Sequence, residues 1–305
     1  MIQRRAFVTM AAAAGTSLVA PVRGVAQAET TTATPVPETT PQSGYAPVNG
    51  LQMYYEIHGS GGTPLVLLHG SYGAIGLWGP ILETLAQTRQ VIAVESQGHG
   101  HTADIDRPIT YEQMADDTAA LIEHLGLAQA DVFGYSMGGY TALRFAIQHP
   151  ELLRKLVVAS ASYTSDGIYP EVRAVVANLP PELFVGTPEE AAYLETAPRP
   201  EDFPILIEKL NQLDAEEFAW PAEEIKAIAA PTLLIYGDAD IIRPEHAAEL
   251  YRLLGGGVPG DFVGLPPSQL AVLPGTTHVG VVTTGADLLL AIIPPFLDAP
   301  MPGAG

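Results

Sequence analysis

The chain contains no cysteine among its 305 residues. This absence excludes disulfides, thiolate nucleophiles and metal sites built on cysteine. Basic residues are also few, since 14 Lys and Arg stand against 34 Asp and Glu and give a formal net charge of −20. So acidic a chain repels the phosphate backbone of nucleic acids and anionic membrane surfaces. We therefore expect nucleic acid not to be a partner.

The sequence also lacks common motifs of nucleotide and metal chemistry. The glycine-rich stretch Gly59 to Gly62 lies between two strand patterns, whereas a phosphate-binding loop opens a helix. The His-Glu-x-x-His pair of zinc-dependent proteases is absent from the sequence. We expect neither a cofactor nor a metal ion in the functional site.

The first 28 residues have the three-part pattern of an export signal. Arg4 and Arg5 precede an apolar, alanine-rich run, and Ala26-Gln27-Ala28 supplies a small-x-small cleavage site. Paired arginines before such a run resemble a twin-arginine signal. The run is shorter than the roughly 20 residues of a membrane span. We predict cleavage after Ala28 and export to the periplasm or beyond, without stable membrane insertion; an uncleaved anchor is the alternative.

Composition separates a linker from the folded part of the chain. Residues 29–43 are rich in Thr and Pro, with few side chains to bury, which predicts a disordered linker. The whole chain is 47% hydrophobic and 16% charged, so the remainder can form a single domain with a large core. Residues 299–305 are predicted to be a flexible tail.

From residue 44 onwards, strand patterns alternate with helix patterns. Asn49-Gly50 is a tight hairpin signal, and further strand patterns occupy 64–69, 91–95, 131–135, 155–160, 231–237 and 269–273. Such alternation predicts an α/β fold with a mostly parallel sheet of about eight strands, helices on both faces, and chemistry at the strand C-termini. We assign the core to residues 44–160 and 231–298.

Residues 161–230 interrupt that alternation. They contain four helix patterns, at 171–178, 188–194, 203–213 and 221–229, separated by prolines. Roughly seventy residues exceed an ordinary crossover between strands. Because the chain leaves the sheet at its functional edge, we predict a helical cap over the site. A peripheral insertion without substrate contact is the alternative.

Residues 131–139 predict a serine nucleophile. A strand pattern runs into Gly134-x-Ser136-x-Gly138, and a helix pattern follows as far as Gln148. The two glycines lack a Cβ, so the chain can reverse tightly around Ser136. A strand, a sharp turn and a helix together hold a serine hydroxyl exposed at the edge of a sheet. The five-residue pattern alone would also fit an ordinary Gly/Ser turn.

Three further segments supply the other parts of a hydrolase site. Asp238 and Asp240 follow one buried strand pattern, and His278 follows the last. An imidazole titrates near neutral pH and can take the serine proton, while a carboxylate orients the ring and stabilises its cation. A third strand pattern ends in His69-Gly70-Ser71, where backbone N–H groups could face a developing oxyanion.

The chain order Ser, Asp, His is that of α/β-hydrolases. On these four motifs, residues 45–298 resemble the bacterial α/β-hydrolases of the esterase, lactonase and cofactor-free haloperoxidase group. The resemblance implies that the second carboxylate of Gly-Asp-x-Asp, Asp240, is the catalytic acid, and that Asp238 orders the loop. The oxyanion donors are then expected to be the backbone N–H groups of Ser71 and Met137.

One loop departs from that resemblance. The family more often has Asp and Arg at the positions of Glu95 and Gln97, in the loop after its fourth strand. We therefore expect the usual internal ion pair of this loop to be missing or rebuilt.

The predicted function is hydrolysis of neutral carboxylic esters or lactones through Ser136, His278, Asp240 and an acyl-enzyme. The cap carries only four basic residues, Arg173, Arg199, Lys209 and Lys226, which disfavours anionic substrates. Perhydrolase, haloperoxidase and C–C bond hydrolase activities use the same triad and stay open. A ligand-binding receptor on a hydrolase scaffold is the non-enzymatic alternative.

Overall fold

One eight-stranded sheet forms the centre of the protein in the computed structural model, which describes residues 41–302. Its order is β1-β2-β4-β3-β5-β6-β7-β8. β1 and β2 pair antiparallel, β2 also pairs antiparallel with β4, and the other neighbours run parallel. The predicted mostly parallel sheet is confirmed. The strands are β1 (Gln42–Val48), β2 (Leu51–His58), β3 (Leu65–Leu68), β4 (Val91–Val94), β5 (Ala130–Tyr135), β6 (Leu153–Ala159), β7 (Thr232–Ala239) and β8 (Gln269–Thr277).

Ten α-helices accompany the sheet within residues 41–302. None of these helices combines the length and apolar character needed to cross a bilayer. The helices are α1 (Gly79–Ala86), α2 (Tyr111–His124), α3 (Met137–Gln148), α4 (Pro170–Val176), α5 (Pro188–Thr196), α6 (Phe203–Ala215), α7 (Ala222–Lys226), α8 (Pro244–Leu253), α9 (Gly260–Val263) and α10 (Ala286–Asp298).

Both faces of the sheet are buried, because side chains alternate between them along each strand. Val66 and Val132 face a core completed by α2, α3 and α8. Leu67 and Phe133 face the opposite core, which α1 and α10 complete. Strands covered on both faces consist almost entirely of apolar residues, and this explains why β3 and β4 are short aliphatic runs.

The segment between β6 and β7 is helical, as predicted. It holds α4 to α7 and three short 3₁₀ turns, and α6 buries Phe203, Leu206, Ile207, Leu210 and Leu213. Two isolated bridges, Thr164 with Ala219 and Ile168 with Ile242, join this segment to itself and to the core. We call residues 161–230 the cap.

The predicted boundaries need correction at both ends of the core. β1 begins at Gln42, and Gln42 and Ser43 pair with Ile57 and Glu56, so the last two residues of the predicted linker belong to the sheet. At the other end, the Lys155 ammonium donates to the carbonyl of Ala299, which holds the first residue of the predicted tail. The export signal and residues 29–40 lie outside the described residues.

Candidate active site

Ser136 occupies a sharp turn between β5 and α3. Its φ of 53° and ψ of −121° are unusual for a residue with a side chain. The turn requires glycine at its flanks: a Cβ on Gly134 would lie 2.0 Å from the Gly138 carbonyl oxygen, and one on Gly138 would lie 2.0 Å from that of Leu68. The geometry is that of a nucleophile elbow, which presents a serine hydroxyl at the C-terminal edge of a sheet.

The structure brings the three predicted side chains together. His278 Nε2 lies 2.9 Å from Ser136 Oγ, and His278 Nδ1 lies 2.7 Å from Asp240 Oδ1. Tyr135, beside the serine, donates its hydroxyl to the His278 carbonyl at 3.1 Å and so holds the backbone of the loop after β8. A hydroxyl, imidazole and carboxylate at these distances can move a proton from oxygen to ring nitrogen.

Asp240 is a buried carboxylate with a full set of donors. Ser160 Oγ donates to Oδ2 at 2.6 Å, and the backbone N–H groups of Gly237 and Ile242 donate at 3.3 Å. Burial disfavours ionisation, but the charge of His278 and the hydrogen bonds outweigh it and lower the pKa of Asp240. The carboxylate therefore stays ionised beside the imidazole.

Ser160 was not found by sequence reasoning. It follows the last residue of β6, it is fully buried, and its φ is 57°. Its N–H donates to the Ile235 carbonyl of β7 at 2.9 Å, which sets its hydroxyl against Asp240. The sequence offered one signal for Ser160, a polar residue directly after a buried strand. This signal indicates a contact with Asp240 only once β6 is known to lie next to β7 in the sheet.

Asp238 has a different task from Asp240. It is exposed and accepts hydrogen bonds from the backbone N–H groups of Gly275 at 2.9 Å and Thr276 at 3.0 Å. These bonds lower the pKa of Asp238. Asp238 therefore fastens the end of β8, from which the chain continues to His278.

The loop after β3 lies against the nucleophile. A Cβ on Gly70 would lie 3.2 Å from the Cβ of Ser136. His69 holds this loop: its Nε2 accepts the N–H of Ser96 at 3.1 Å, so its Nδ1 carries the proton and donates to the Gly70 carbonyl at 2.8 Å. Burial lowers the pKa of His69 to about 4. The ring therefore stays neutral and keeps both bonds.

One predicted oxyanion donor is next to Ser136 in the chain, and the other is in the loop packed against it. Met137 directly follows Ser136 as the first residue of α3, and Ser71 directly follows Gly70. Within residues 41–302, neither backbone N–H donates to a backbone acceptor. Both groups are therefore free to bind a substrate oxygen.

The ion pair expected at the loop after β4 is rebuilt with other partners. The Glu95 carboxylate accepts from His101 Nδ1 at 3.0 Å and from the Ile75 N–H at 3.3 Å. Gln97 Oε1 accepts from Arg107 Nε at 2.5 Å. These bonds tie the loop to the segment before α1 and to the segment before α2.

Aromatic side chains of the cap contact the residues around the nucleophile. Phe184 packs on Tyr72, in the loop after β3, with 4.6 Å between the ring centroids. Phe218 packs on Tyr140, one helical turn after Ser136, with 5.7 Å between the centroids. Phe203 and Trp220 of the cap are buried in the core. The cap thus contacts the loop after β3 and the helix that follows Ser136.

Other candidate sites lie away from this geometry or are not formed. Cavities of about 340 and 620 Å³ are lined by cap residues between 177 and 215, and neither includes Ser136, Asp240 or His278. Among residues 41–302, no cluster of three or more His, Asp and Glu side chains is placed to hold a metal ion.

Comparison with known proteins agrees with the fold. Residues 63–204 match the sequence profile of the alpha/beta hydrolase fold family. A relative from Azorhizobium caulinodans, provisionally assigned as a carbamate hydrolase, is 30% identical over 232 residues, covering 70% of this chain and 86% of the relative. The chain belongs to the alpha/beta hydrolase fold family. It is therefore a hydrolytic enzyme.

Two further comparisons show the range of this family. A pimeloyl-acyl-carrier-protein methyl ester esterase of Yersinia enterocolitica is 27% identical over 258 residues, covering 76% of this chain and 92% of the esterase. A meta-cleavage product hydrolase of Pseudomonas fluorescens has the same fold, with a TM-score of 0.68 at 21% identity over 84% of this chain and 97% of that chain.

Proposed function

We propose that this hydrolase cleaves neutral carboxylic esters or lactones, with Ser136 as nucleophile, His278 as general base and acid, and Asp240 as the orienting acid. The observation that carries the proposal is the pair of contacts made by His278, 2.9 Å to Ser136 Oγ and 2.7 Å to Asp240 Oδ1. The esterase among the relatives supports the substrate class.

In the first step, Ser136 Oγ attacks the carbonyl carbon as His278 Nε2 takes its proton. The carbonyl π electrons move to the oxygen, and the N–H groups of Ser71 and Met137 stabilise the resulting oxyanion. Removing one such donor costs about 3 to 4 kcal/mol of transition-state stabilisation where it has been measured. Asp240 stabilises the imidazolium that forms.

In the second step, the tetrahedral intermediate collapses and the leaving alkoxide takes the proton from His278. Water, deprotonated by His278, then attacks the acyl-enzyme carbonyl, and Ser136 leaves with that proton. In a lactone the alcohol stays attached to the acid product. Esters suit this site better than amides, because an alkoxide is expelled more easily than an amide nitrogen anion, which must be protonated before it leaves.

The charges of the cap support a preference for substrates without a carboxylate. Each of its four basic residues already pairs with an acid: Arg173 with Glu217, Arg199 with Asp202, Lys209 with Asp104 and Lys226 with Glu223. We expect kcat/KM for an aryl butanoate to exceed that for a half-ester carrying a free carboxylate. Faster turnover of the anionic ester at moderate salt would contradict this preference.

A panel of esters, lactones and amides, combined with a fluorophosphonate probe, tests the proposed function. The expected result is ester or lactone turnover by the wild-type enzyme, with the probe on Ser136 and both lost in Ser136→Ala. Labelled Ser136 without turnover of any ester or lactone would point to C–C bond cleavage or perhydrolysis. Absence of labelling and turnover would favour a receptor.

We also propose that residues 1–28 direct export through the twin-arginine route. Paired arginines are read by a receptor, so replacing Arg4 and Arg5 with lysine should leave the precursor in the cytoplasm. The measurement is fractionation followed by N-terminal sequencing, with mature protein expected to begin near Glu29. Full-length chain held in the membrane would instead show an anchor.

A further inference from the structure

A shielded salt bridge joins the cap to the core. Of the four basic residues of the cap, three pair with acids of the cap itself, whereas Lys209 in α6 pairs with Asp104 of the core. The Lys209 ammonium lies 2.7 and 2.9 Å from the two carboxylate oxygens of Asp104. It also lies 2.7 Å from the carbonyl oxygen of Ile105 and 2.9 Å from that of Arg107. Since the side chains of Lys209 and Asp104 are only 17% and 10% exposed, solvent ions screen their attraction little.

Asp104 belongs to residues 95–110, which connect β4 to α2 and which we call the β4–α2 segment. The cap helix α6 also packs on the start of this segment, because a Cβ on Gly98 would lie 3.3 Å from Leu206 Cδ1. Within the segment, Gln97 Nε2 donates to Asp104 Oδ1 at 2.8 Å. The acid that the cap binds is thus tied to the residues directly after β4.

The same segment holds the loop after β3 beside the nucleophile. The Ser96 N–H donates to His69 Nε2 at 3.1 Å, and His69 Nδ1 donates to the Gly70 carbonyl at 2.8 Å. A Cβ on Gly70 would lie 3.2 Å from the Cβ of Ser136, and the next residue, Ser71, carries one of the proposed oxyanion donors. A displacement of Ser96 would therefore reach that donor through His69.

The position of an oxyanion donor matters most in the transition state. The negative charge on the substrate oxygen develops as the tetrahedral intermediate forms, and a donor must lie about 2.7 to 3.1 Å from that oxygen to stabilise it. Interactions that are stronger in the transition state than in the ground state raise kcat. A contact that keeps the Ser71 N–H in place therefore acts on kcat, whereas a contact that only closes the cap over a substrate acts on KM.

We propose that Lys209 is a positioning residue for the oxyanion hole: through Asp104 it fixes the β4–α2 segment, and so keeps the loop after β3 in its reactive geometry. The inference rests on the proposed ester hydrolysis and adds a residue of the cap to it. The seating of α6 on the core then decides how well the oxyanion is stabilised.

Substitution of Lys209 tests this inference through the split between kcat and KM. Lys209→Met removes the ammonium and keeps a chain of similar length. We expect kcat for an aryl butanoate to fall about tenfold with KM nearly unchanged, because even a misplacement of about 1 Å far from the chemistry can cost about a hundredfold. Lys209→Arg keeps the charge and should recover part of kcat. Lys226→Met is the matched control, since Lys226 pairs with Glu223 on the cap surface, and it should leave both constants unchanged.

A double variant shows whether Lys209 and Asp104 act through one link. Asp104→Asn should lower kcat by a factor similar to that of Lys209→Met. Because the two residues share one interaction, the double variant should lose about tenfold in total and not a hundredfold. Losses that multiply would overturn the link. If Lys209→Met does not fold, Asp104→Asn carries the same test of kcat against KM.

A trifluoromethyl ketone probes the oxyanion hole without turnover. With 1,1,1-trifluorohexan-2-one, Ser136 Oγ adds to the carbonyl carbon, its proton passes to His278, and the carbonyl π electrons become an oxyanion that the same donors hold. The corresponding alcohol, 1,1,1-trifluorohexan-2-ol, cannot form this adduct. Lys209→Met should weaken inhibition by the ketone about tenfold and leave inhibition by the alcohol unchanged.

The outcomes separate this inference from the proposed function. Equal weakening of both inhibitors, or a rise in KM with kcat unchanged, would show that Lys209 only holds the cap, and would overturn the inference. It also fails alone if the wild-type enzyme hydrolyses the ester and Lys209→Met matches it in every constant. If the wild-type enzyme hydrolyses no ester and binds the ketone no better than the alcohol, the proposed function fails as well.

Discussion

Two carboxylates, Asp240 on the core and Asp214 in the last turn of α6 in the cap, show opposite behaviour. Asp240 is buried and Asp214 is half-buried, yet the pKa of Asp240 is lowered and burial raises that of Asp214 to about 7. Asp240 receives bonds from Ser160, His278 and two backbone N–H groups, whereas Asp214 receives none within the described chain. Partners, more than burial, decide which acid is ionised at neutral pH.

This difference in pKa corresponds to different tasks of the core and the cap. The core holds an acid whose charge is fixed in advance for the imidazolium, as electrostatic preorganisation requires. The cap holds an acid that burial keeps partly protonated at neutral pH. Pairs of titratable groups whose surroundings drive their pKa values apart commonly divide their roles in this way.

The largest expected effect comes from removing the triad. Ser136→Ala, His278→Ala and Asp240→Asn should each lower kcat/KM for a neutral ester by roughly 10⁴-fold or more, and the losses should not add in double variants because the three act as a unit. Thermal unfolding controls for folding. Asp238→Asn is the matched control, with an expected loss below about tenfold, since the catalytic base does not depend on Asp238 directly. An inactive Asp238→Asn beside an active Asp240→Asn would reverse the assignment.

A smaller effect is expected when Asp240 loses one partner. Ser160→Ala removes the 2.6 Å bond to Asp240 Oδ2, so the pKa of Asp240 should rise and kcat should fall by roughly 10- to 100-fold. Because the acid must be ionised to support His278, the acid limb of the pH profile should move to higher pH. Ser160→Thr keeps the hydroxyl and should recover part of the activity. An unshifted pH profile would mean that Ser160 serves only packing.

The smallest effect concerns stability. The pKa of Asp214 is raised in the fold, so its ionisation above about pH 7 opposes folding, and this cost disappears as the pH falls towards the value of an unfolded aspartate near 4. Asp214→Asn should therefore raise Tm on the order of 2 °C at pH 8 and change it little at pH 4.5. Glu208→Gln, which removes an exposed acid of the same helix, is the matched control. Equal Tm shifts at both pH values would show that Asp214 ionises normally in the fold.

The roles of these residues differ in how readily they can be predicted from the sequence. The elbow at Ser136 is readable because its two glycines are local steric requirements, and the order of the other motifs follows from a sheet whose strands end at one edge. Ser160 gains its meaning only from a neighbour far away in the chain, the strand β7 that leads to Asp240. The early start of β1 escaped prediction for a related reason, since backbone pairing with β2 fixes Gln42 and Ser43 whatever their composition suggests.

The most direct test of Ser136 as the nucleophile is to identify the site of acylation during turnover. The wild-type enzyme is mixed with an aryl butanoate, quenched in acid within the first turnovers, digested and analysed by mass spectrometry. The proposed mechanism predicts a butanoyl group on the peptide containing Ser136, formed with a burst of aryl alcohol and absent from Ser136→Ala. Continued ester turnover by Ser136→Ala, or a butanoyl group on any other side chain, would contradict it.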